Sequence, residues 1–138
     1  MSQKIRVFAF SAQAPASERS KAPDVFRRTT VPLTASASVR DLAVALRLPL
    51  VVAARPGLGT ISHTLLTLEA ARAAGLRVAA VVLTPWPAAP SAIEESNRAT
   101  IARLGAVAVA TLPRLPDGSP ASLAAGGATL PLADWLAR

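Results

Sequence analysis

The stretch PLVVAARPGLGTISHTLLTLEAARAAGLRVAAVVL, residues 49–83, decides the fold that we predict for this chain. It begins with a continuous β-favouring run at 49–54, of the kind that is buried on both faces of a sheet. A glycine-containing turn leads from this run into a helix that we predict over residues 62–74, and Gly75 is its stop. A second buried strand follows at 77–83. Strand, helix and strand in this order predict a parallel sheet with a right-handed crossover.

The alternation of helix and strand continues downstream of this stretch. TPWPAAP is predicted to be a proline-rich loop, and the next helix starts where Ser91 and Glu94 have capping-box spacing. Gly105 is the predicted stop of that helix, and a third strand follows at 106–112. The apolar face of this helix is predicted to consist of Ile93, Ile101 and Leu104. A second strand–helix–strand unit therefore follows the first.

The outer parts of the chain complete the predicted architecture. Ser38 and Asp41 also have capping-box spacing and predict a short helix before the first strand. After the third strand, PRLPDGSPAS is predicted to be a loop and LPLADWLAR a C-terminal helix. The fold class is α/β, with a parallel sheet that carries helices on both faces. We assign this domain to residues 31–138, and residues 1–30 to an irregular basic N-terminal segment with one strand, IRVFAF.

Composition excludes several classes of site. The 138 residues are 51% hydrophobic and 17% charged, as in a globular domain, and their number suits a single domain with its own core. Cysteine is absent, which excludes disulfides, thiolate zinc sites and cysteine nucleophiles, and a single histidine, His63, argues against a histidine metal site. The apolar runs are too short for a membrane span, and VFAF is too short for a signal-peptide core. We therefore expect a cytoplasmic protein without a membrane partner.

The net charge of +7 raises the question of a nucleic-acid partner. About half of the excess lies in residues 1–28, and the other arginines are scattered singly. The chain has no tyrosine, two tryptophans and three phenylalanines, so basic residues are not interleaved with aromatic ones. This pattern argues against a nucleic-acid partner, and a weak nucleic-acid binder stays only as an alternative.

The turn before the first long helix is the place where a ligand could bind, because parallel sheets bind ligands at the carboxyl ends of their strands. Gly57 and Gly59 allow the backbone to come close to a ligand, and Thr60 and Ser62 could cap the helix or donate to an oxygen. A simple bend explains the glycines equally well, since GLGT is neither a Walker A loop nor a dinucleotide fingerprint. His63 in the first helical turn is predicted to be a neutral packing residue. No catalytic residues are assigned, because no triad, metal cluster or convincing carboxylate pair is found.

The residues of this region resemble a known family. LPLVVAARPGLGTISHTLLTLEAARAAGLRVAAVVLTPWP is similar to dethiobiotin synthase, in which a buried strand leads into a Leu-Gly-x-Ile-Asn-His-x-Leu-Leu-Thr helix start. VPLTASASVRDLAVALRLP resembles the Pro-Leu segment and helix that precede it in the family. IEESNRATIARLGAVAVATLPRLP resembles the helix, strand and proline-containing loop that follow. The resemblance covers residues 31 to about 117 and corresponds to the C-terminal half of the family.

The resemblance implies a partial P-loop NTPase-like fold, a homodimer or larger self-association, and the cofactors ATP and Mg²⁺. The family reaction carboxylates a diamine acid, 7,8-diaminopelargonate, to a carbamate, which ATP phosphorylates before the second amine closes the cyclic urea of dethiobiotin. The segment that holds the substrate carboxylate across the family's dimer matches Gly59, Thr60, Ile61 and Ser62. Segments around the adenine base match Thr84, Pro113 and Leu115.

The chain departs from the family pattern where the phosphates and the metal bind. No Walker A sequence is present, since no lysine follows any glycine of the chain. Asp24 stands where the family has a Glu. Ser62 stands where the family has an Asn at the start of the helix, and Thr84 stands where the family has an Asn that contacts the adenine base. We therefore interpret the chain as a truncated dethiobiotin synthase that is not catalytic alone. The alternative is a non-catalytic dimerisation or binding module that complements a separately encoded P-loop half.

Overall fold

The computed structural model describes residues 38–137. Three strands form one parallel sheet in the order β1 (Leu50–Ala54), β2 (Val78–Trp86), β3 (Ala108–Pro113). Helix α2 (Thr60–Ala73) connects β1 to β2, and α3 (Ala92–Gly105) connects β2 to β3. The remaining helices are α1 (Val39–Leu46), α4 (Pro120–Ala128) and α5 (Leu132–Ala137). The predicted strand at residues 5–10, and Asp24, lie outside the described residues.

Helices cover both faces of the sheet, which confirms the predicted α/β class. On one face, Leu50 and Val52 of β1 belong to the same buried cluster as Leu68 of α2 and Ile101 of α3. Successive residues of a strand point to opposite faces, so Val51 and its neighbours Ala80 and Val82 form the second cluster. Trp135 of α5 is the buried side chain that closes this second face. The apolar runs of β1 and β2 are therefore buried on both sides, as their composition indicates, whereas β3 has no buried residue.

The predicted caps of α1 and α3 are confirmed. Ser38 and Asp41 form a reciprocal capping box, in which the Ser38 backbone N–H donates to Asp41 Oδ2 at 2.7 Å. Ser91 and Glu94 form the second one, with 2.7 Å from Ser91 N to Glu94 Oε2. Gly75 ends α2 as predicted: it has φ 74°, and its N–H donates to the Arg72 carbonyl oxygen at 2.9 Å.

Several predicted boundaries are wrong. Helix α2 begins at Thr60, two residues early, because Gly59 with φ 82° is the N-cap and neither Thr60 nor Ser62 caps the helix with its side chain. Gly105 is the last residue of α3 rather than its left-handed stop, which is Ala106 with φ 43°. Strand β2 includes the first three residues of the predicted loop and ends at Trp86.

The predictions also missed packing that depends on distant residues. Of the predicted apolar face of α3, only Ile101 is buried, whereas Ile93 and Leu104 are 69% and 54% exposed. Helix α4 begins at Pro120 inside a predicted loop, because Ser119 caps it and Pro120 suits the first helical position. His63 is exposed and not packed in the core.

Among residues 38–137, no helix is both long and apolar enough to cross a membrane.

Candidate functional site

The turn between β1 and α2 presents an exposed helix N-terminus at the carboxyl end of the sheet. Gly59 precedes the helix in a left-handed conformation, with φ 82°, which a glycine adopts without strain. The first turn of α2 has no acidic residue, so the positive end of the helix dipole is not neutralised by its own side chains. The turn therefore offers a positive potential to an anion.

Two backbone donors of this turn are free within the described residues. Thr60 N–H is already used, since it donates to the Gly57 carbonyl oxygen at 3.2 Å, and His63 N–H donates to the Gly59 carbonyl at 3.1 Å. Ile61 and Ser62 stand between them and have no backbone acceptor in residues 38–137. Orphan amides of this kind are the groups that bind carboxylates and phosphates at helix starts.

The side chains of the turn divide into two groups. Ser62 is exposed on the same surface as Gly59. Thr60, by contrast, is only 6% exposed, and its Oγ1 is buried without a hydrogen-bond partner in the described part of the chain. Its hydroxyl therefore lies on the buried side of α2, which also carries Thr64 and Leu68, and a contact of Thr60 with a ligand stays a prediction.

A hydrogen bond from α3 holds the turn in place. Asn97 Nδ2 donates to the carbonyl oxygen of the buried Pro56 at 3.0 Å, across 41 residues of sequence. The sequence analysis did not identify Asn97, because nothing in the local pattern of α3 indicates which residue it faces. Through this bond the loop after β1 is fixed to the helix between β2 and β3.

Two arginines at the carboxyl ends of the outer strands add positive charge to this edge of the sheet. Arg55 follows β1 and Arg114 follows β3, and both are exposed and without a hydrogen-bond or ion-pair partner within residues 38–137. The sequence analysis missed their importance, since single arginines carry no pattern of their own. Free arginines at the same edge of the sheet as an open helix N-terminus favour an anionic ligand.

The three residues that the resemblance places near the adenine base lie at the carboxyl end of the sheet, but their surroundings differ. Thr84 is half-buried and precedes Pro85 through a cis peptide bond, and Pro113 pairs in register with Trp86 on the neighbouring strand. Leu115 is half-buried under α4: a Cβ placed on Gly126 would lie 2.7 Å from Leu115 Cδ2. Thr84 and Pro113 thus share one end of two adjacent strands, whereas the Leu115 side chain packs against α4.

The loop after β3 contains an exposed carboxylate that accepts a hydrogen bond from the residue before α4. Hydrogen bonds from Ser119, side chain first and backbone second, lower the pKa of the exposed Asp117 carboxyl below its usual 3.8. The backbone bond runs from Ser119 N to Asp117 Oδ1 at 2.9 Å. The carboxylate therefore stays ionised and is used to order the start of α4.

The described residues do not fit a magnesium ion or a triphosphate. No group of three or more His, Cys, Asp or Glu side chains within residues 38–137 could hold a metal ion. Both lysines of the chain, Lys4 and Lys21, precede the described part, so residues 38–137 contain no lysine that could bind phosphates at the glycine turn. What this edge of the sheet does provide is two free amides, a positive helix end and two arginines. That set suits one small carboxylate.

Comparison with known proteins agrees with the fold and with the region of this turn. The AAA domain family matches residues 26–122. The chain belongs to that family. The sheet of the α/β domain, its two crossover helices and the turn before α2 all lie inside the matched range.

The similar curated proteins are dethiobiotin synthetases. The ATP-dependent dethiobiotin synthetase BioD of Mycobacterium sp. (strain KMS) is 41% identical over 100 residues, which are 72% of this chain and 44% of the relative. That of Mycobacterium avium (strain 104) is 46% identical over 88 residues, 64% of this chain and 37% of the relative. That of Anaeromyxobacter sp. (strain K) is 48% identical over 88 residues, 63% of this chain and 40% of the relative. The predicted family resemblance is confirmed, and the chain spans less than half the length of these relatives.

Proposed function

We propose that this chain is the substrate-carboxylate part of a dethiobiotin synthetase, and that 7,8-diaminopelargonate is the molecule whose carboxylate it binds. The observation that carries the proposal is the open N-terminus of α2, with the free amides of Ile61 and Ser62 and no acidic neighbour in its first turn. Support comes from the identity of 41% to 48% with proteins named as dethiobiotin synthetases.

The proposed roles follow from the chemistry that each group can perform. Ile61 and Ser62 donate their N–H groups to the two carboxylate oxygens, and the Ser62 hydroxyl adds a third donor. Gly59 keeps the approach to these donors open because it has no side chain. Asn97 positions the turn through Pro56 and does not touch the substrate.

Catalysis by this chain alone is not part of the proposal. The synthetase reaction needs a phosphate-binding lysine and metal ligands, and residues 38–137 fit neither role. We propose that a P-loop-bearing segment supplies them, that the assembly is a homodimer or larger, and that it works in the cytoplasm. In that assembly, ATP would contact Thr84 and Pro113 of this chain only with its adenine base.

A titration followed by nuclear magnetic resonance tests the carboxylate site. A charge-assisted hydrogen bond is worth about 1.5–3 kcal/mol. Two or three of them without the rest of an active site give a dissociation constant of about 1 mM. We expect the amide signals of Ile61 and Ser62 to move most when diaminopelargonate is added, and the Thr60 amide, already bonded to Gly57, to move less.

Variants and an analogue provide the controls for this titration. Gly59→Val places a branched side chain at a positive φ and should abolish the shifts, whereas Gly57→Ala, whose Cβ meets nothing within 4 Å, should preserve them. Ser62→Asn should preserve or strengthen binding. The methyl ester of diaminopelargonate should shift nothing at this turn. If the Ile61 and Ser62 signals stay still while remote signals move, the turn is a bend and the proposal fails.

A further inference from the structure

The outer side of helix α2, which faces away from the sheet, carries few charges. Apart from His63, the ionisable residues among the 14 of α2 are Glu69 and Arg72. The Arg72 guanidinium is already used, since it donates to the Gly105 carbonyl oxygen. A helix between a core and water normally has charged and polar residues on its outer face, whereas Leu66 of α2 is 52% exposed. The composition of α2 therefore indicates a second packing partner besides the sheet.

An open groove between α2 and α3 adds further apolar surface. The large apolar side chains that line it are Leu65 and Leu68 of α2 and Leu104 of α3. Leu104 is 54% exposed, and Ile93 at the start of α3 is 69% exposed. Exposed apolar side chains that are grouped on adjacent helices are typical of a surface that binds another protein. We call this surface the α2–α3 face, and it comprises Leu65, Leu66, Glu69, Ile93, Arg103 and Leu104.

Two charges of opposite sign lie on the α2–α3 face, one on each helix. Glu69 and Arg103 are both exposed, and neither has a hydrogen-bond or ion-pair partner within residues 38–137. Gly105, two residues after Arg103, stands against Leu68 of α2. Glu69 directly follows Leu68, so the two charges are at similar heights on opposite sides of the groove.

We propose that a second copy of this chain docks on the α2–α3 face, about a two-fold axis that runs along the groove. Such an axis places α2 of one copy on α3 of the other, so that the same residues are used twice. Glu69 of each copy then pairs with Arg103 of the other copy, and the exposed leucines pack against one another. This inference rests on the self-association in the proposed function, but not on the carboxylate site.

Charge complementarity favours a second copy over an unrelated partner. A face with one unpaired acid and one unpaired base at the same height is complementary to itself. An acidic or a basic partner would pair with only one of the two charges and leave the other desolvated, which is costly. The axis also places the N-termini of both α2 helices at the same end of the dimer. The two proposed carboxylate sites therefore open to the same side.

Sedimentation of the full chain and of two matched variants tests the face. We expect the unchanged chain to be a dimer at about 100 µM, since interfaces of ordinary size have micromolar or lower dissociation constants. Leu104→Glu places a charge in the groove and should raise the dissociation constant about tenfold or more. Leu123→Glu is the control, because Leu123 on α4 is 55% exposed and lies outside the face. A monomeric unchanged chain, or equal dissociation constants of the two variants, would overturn the proposal.

An exchange of charges between two variants tests the contact itself. Glu69→Arg places arginines opposite each other, and Arg103→Glu places glutamates opposite each other. We therefore expect each variant alone to dimerise about tenfold more weakly or worse. In an equimolar mixture of the two, both contacts again join opposite charges, and we expect the dimer to return. Both positions are exposed, so neither substitution disturbs the core.

Two results of this exchange would contradict the proposal. One is a mixture that associates no better than its components. The other is a dimer that both single variants retain at full strength, which would place the contact between copies on another surface. The carboxylate titration does not depend on association, so the proposed substrate site stands or fails separately from this face.

Discussion

Two threonine hydroxyls under the N-terminal half of α2 have no hydrogen-bond partner in the described part of the chain. Thr60 and Thr64 are one helical turn apart on the side of α2 that contacts the sheet, and they are 6% and 2% exposed. A buried hydroxyl without a partner costs about 1–3 kcal/mol of stability. Nearby, Thr67 has its hydroxyl satisfied, since it donates to the His63 carbonyl oxygen at 2.8 Å.

This contrast predicts different changes in stability for the same substitution at the two positions. Thr64→Val keeps the shape of the side chain and removes the unpaired hydroxyl, so we expect the free energy of unfolding in urea to rise by about 1 kcal/mol. Thr67→Val is the matched control, because valine and threonine have similar helix propensities and it removes a bond that is made; no gain is expected there. If Thr64→Val instead lowers stability by 1 kcal/mol or more, its hydroxyl is paired to a group outside residues 38–137.

At the scale of elements, the close contact of α2 and α3 depends on a glycine. A Cβ on Gly105 would lie 2.8 Å from Leu68 Cδ1 and 3.2 Å from Val107 Cγ1. Leu68 is 1% exposed and belongs to the main buried cluster, so a displacement of its side chain disturbs core contacts. Arg72 reinforces the contact, because its guanidinium donates to the Gly105 carbonyl oxygen at 2.6 Å, at the negative end of α3.

Alanine substitutions at two helical glycines should therefore change stability in opposite directions. Gly105→Ala forces the two helices apart, and we expect a loss of about 1–3 kcal/mol in the free energy of unfolding. Gly127→Ala in α4 has no atom within 4 Å of the new Cβ and should gain about 0.5–1 kcal/mol from helix propensity. Thermal melts of both variants measure this. An unchanged or raised melting temperature for Gly105→Ala would contradict the packing described.

The same elements explain which features could be predicted from the sequence. Capping boxes at Ser38 and Ser91 and the stop at Gly75 depend on residues a few positions apart, and they were predicted correctly. The exposure of Ile93 and the bond from Asn97 to Pro56 depend on which elements meet in space, and no local pattern contains that information. At the site, the position of the turn was predictable from the family resemblance. Two other features of the site were not predictable from it. One is the hydrogen bond that the Thr60 N–H makes within the turn, and the other is the pair of free arginines.

At the scale of the whole molecule, one edge of the sheet has groups that suit an anion, and residues 38–137 provide no groups for a phosphate–metal complex. The two free amides at the start of α2 and the exposed Arg55 and Arg114 lie at the carboxyl ends of the strands. Residues 38–137 hold no metal-binding cluster, and both lysines lie before them. The central claim that we propose is therefore a division of labour, in which this chain would bind the substrate carboxylate and another segment would bind the phosphates and the metal.

One measurement tests this claim most directly: dethiobiotin formation from diaminopelargonate, bicarbonate and Mg-ATP, with the chain alone, with a P-loop-bearing half of a relative alone, and with both. The account predicts no product from either part and turnover from the mixture. It also predicts that Gly59→Val abolishes this turnover and that Gly57→Ala does not, because valine is strained at the φ of 82° before α2, whereas a Cβ on Gly57 meets nothing within 4 Å. Product formed by this chain alone would contradict the account, and so would an active mixture that Gly59→Val leaves unchanged.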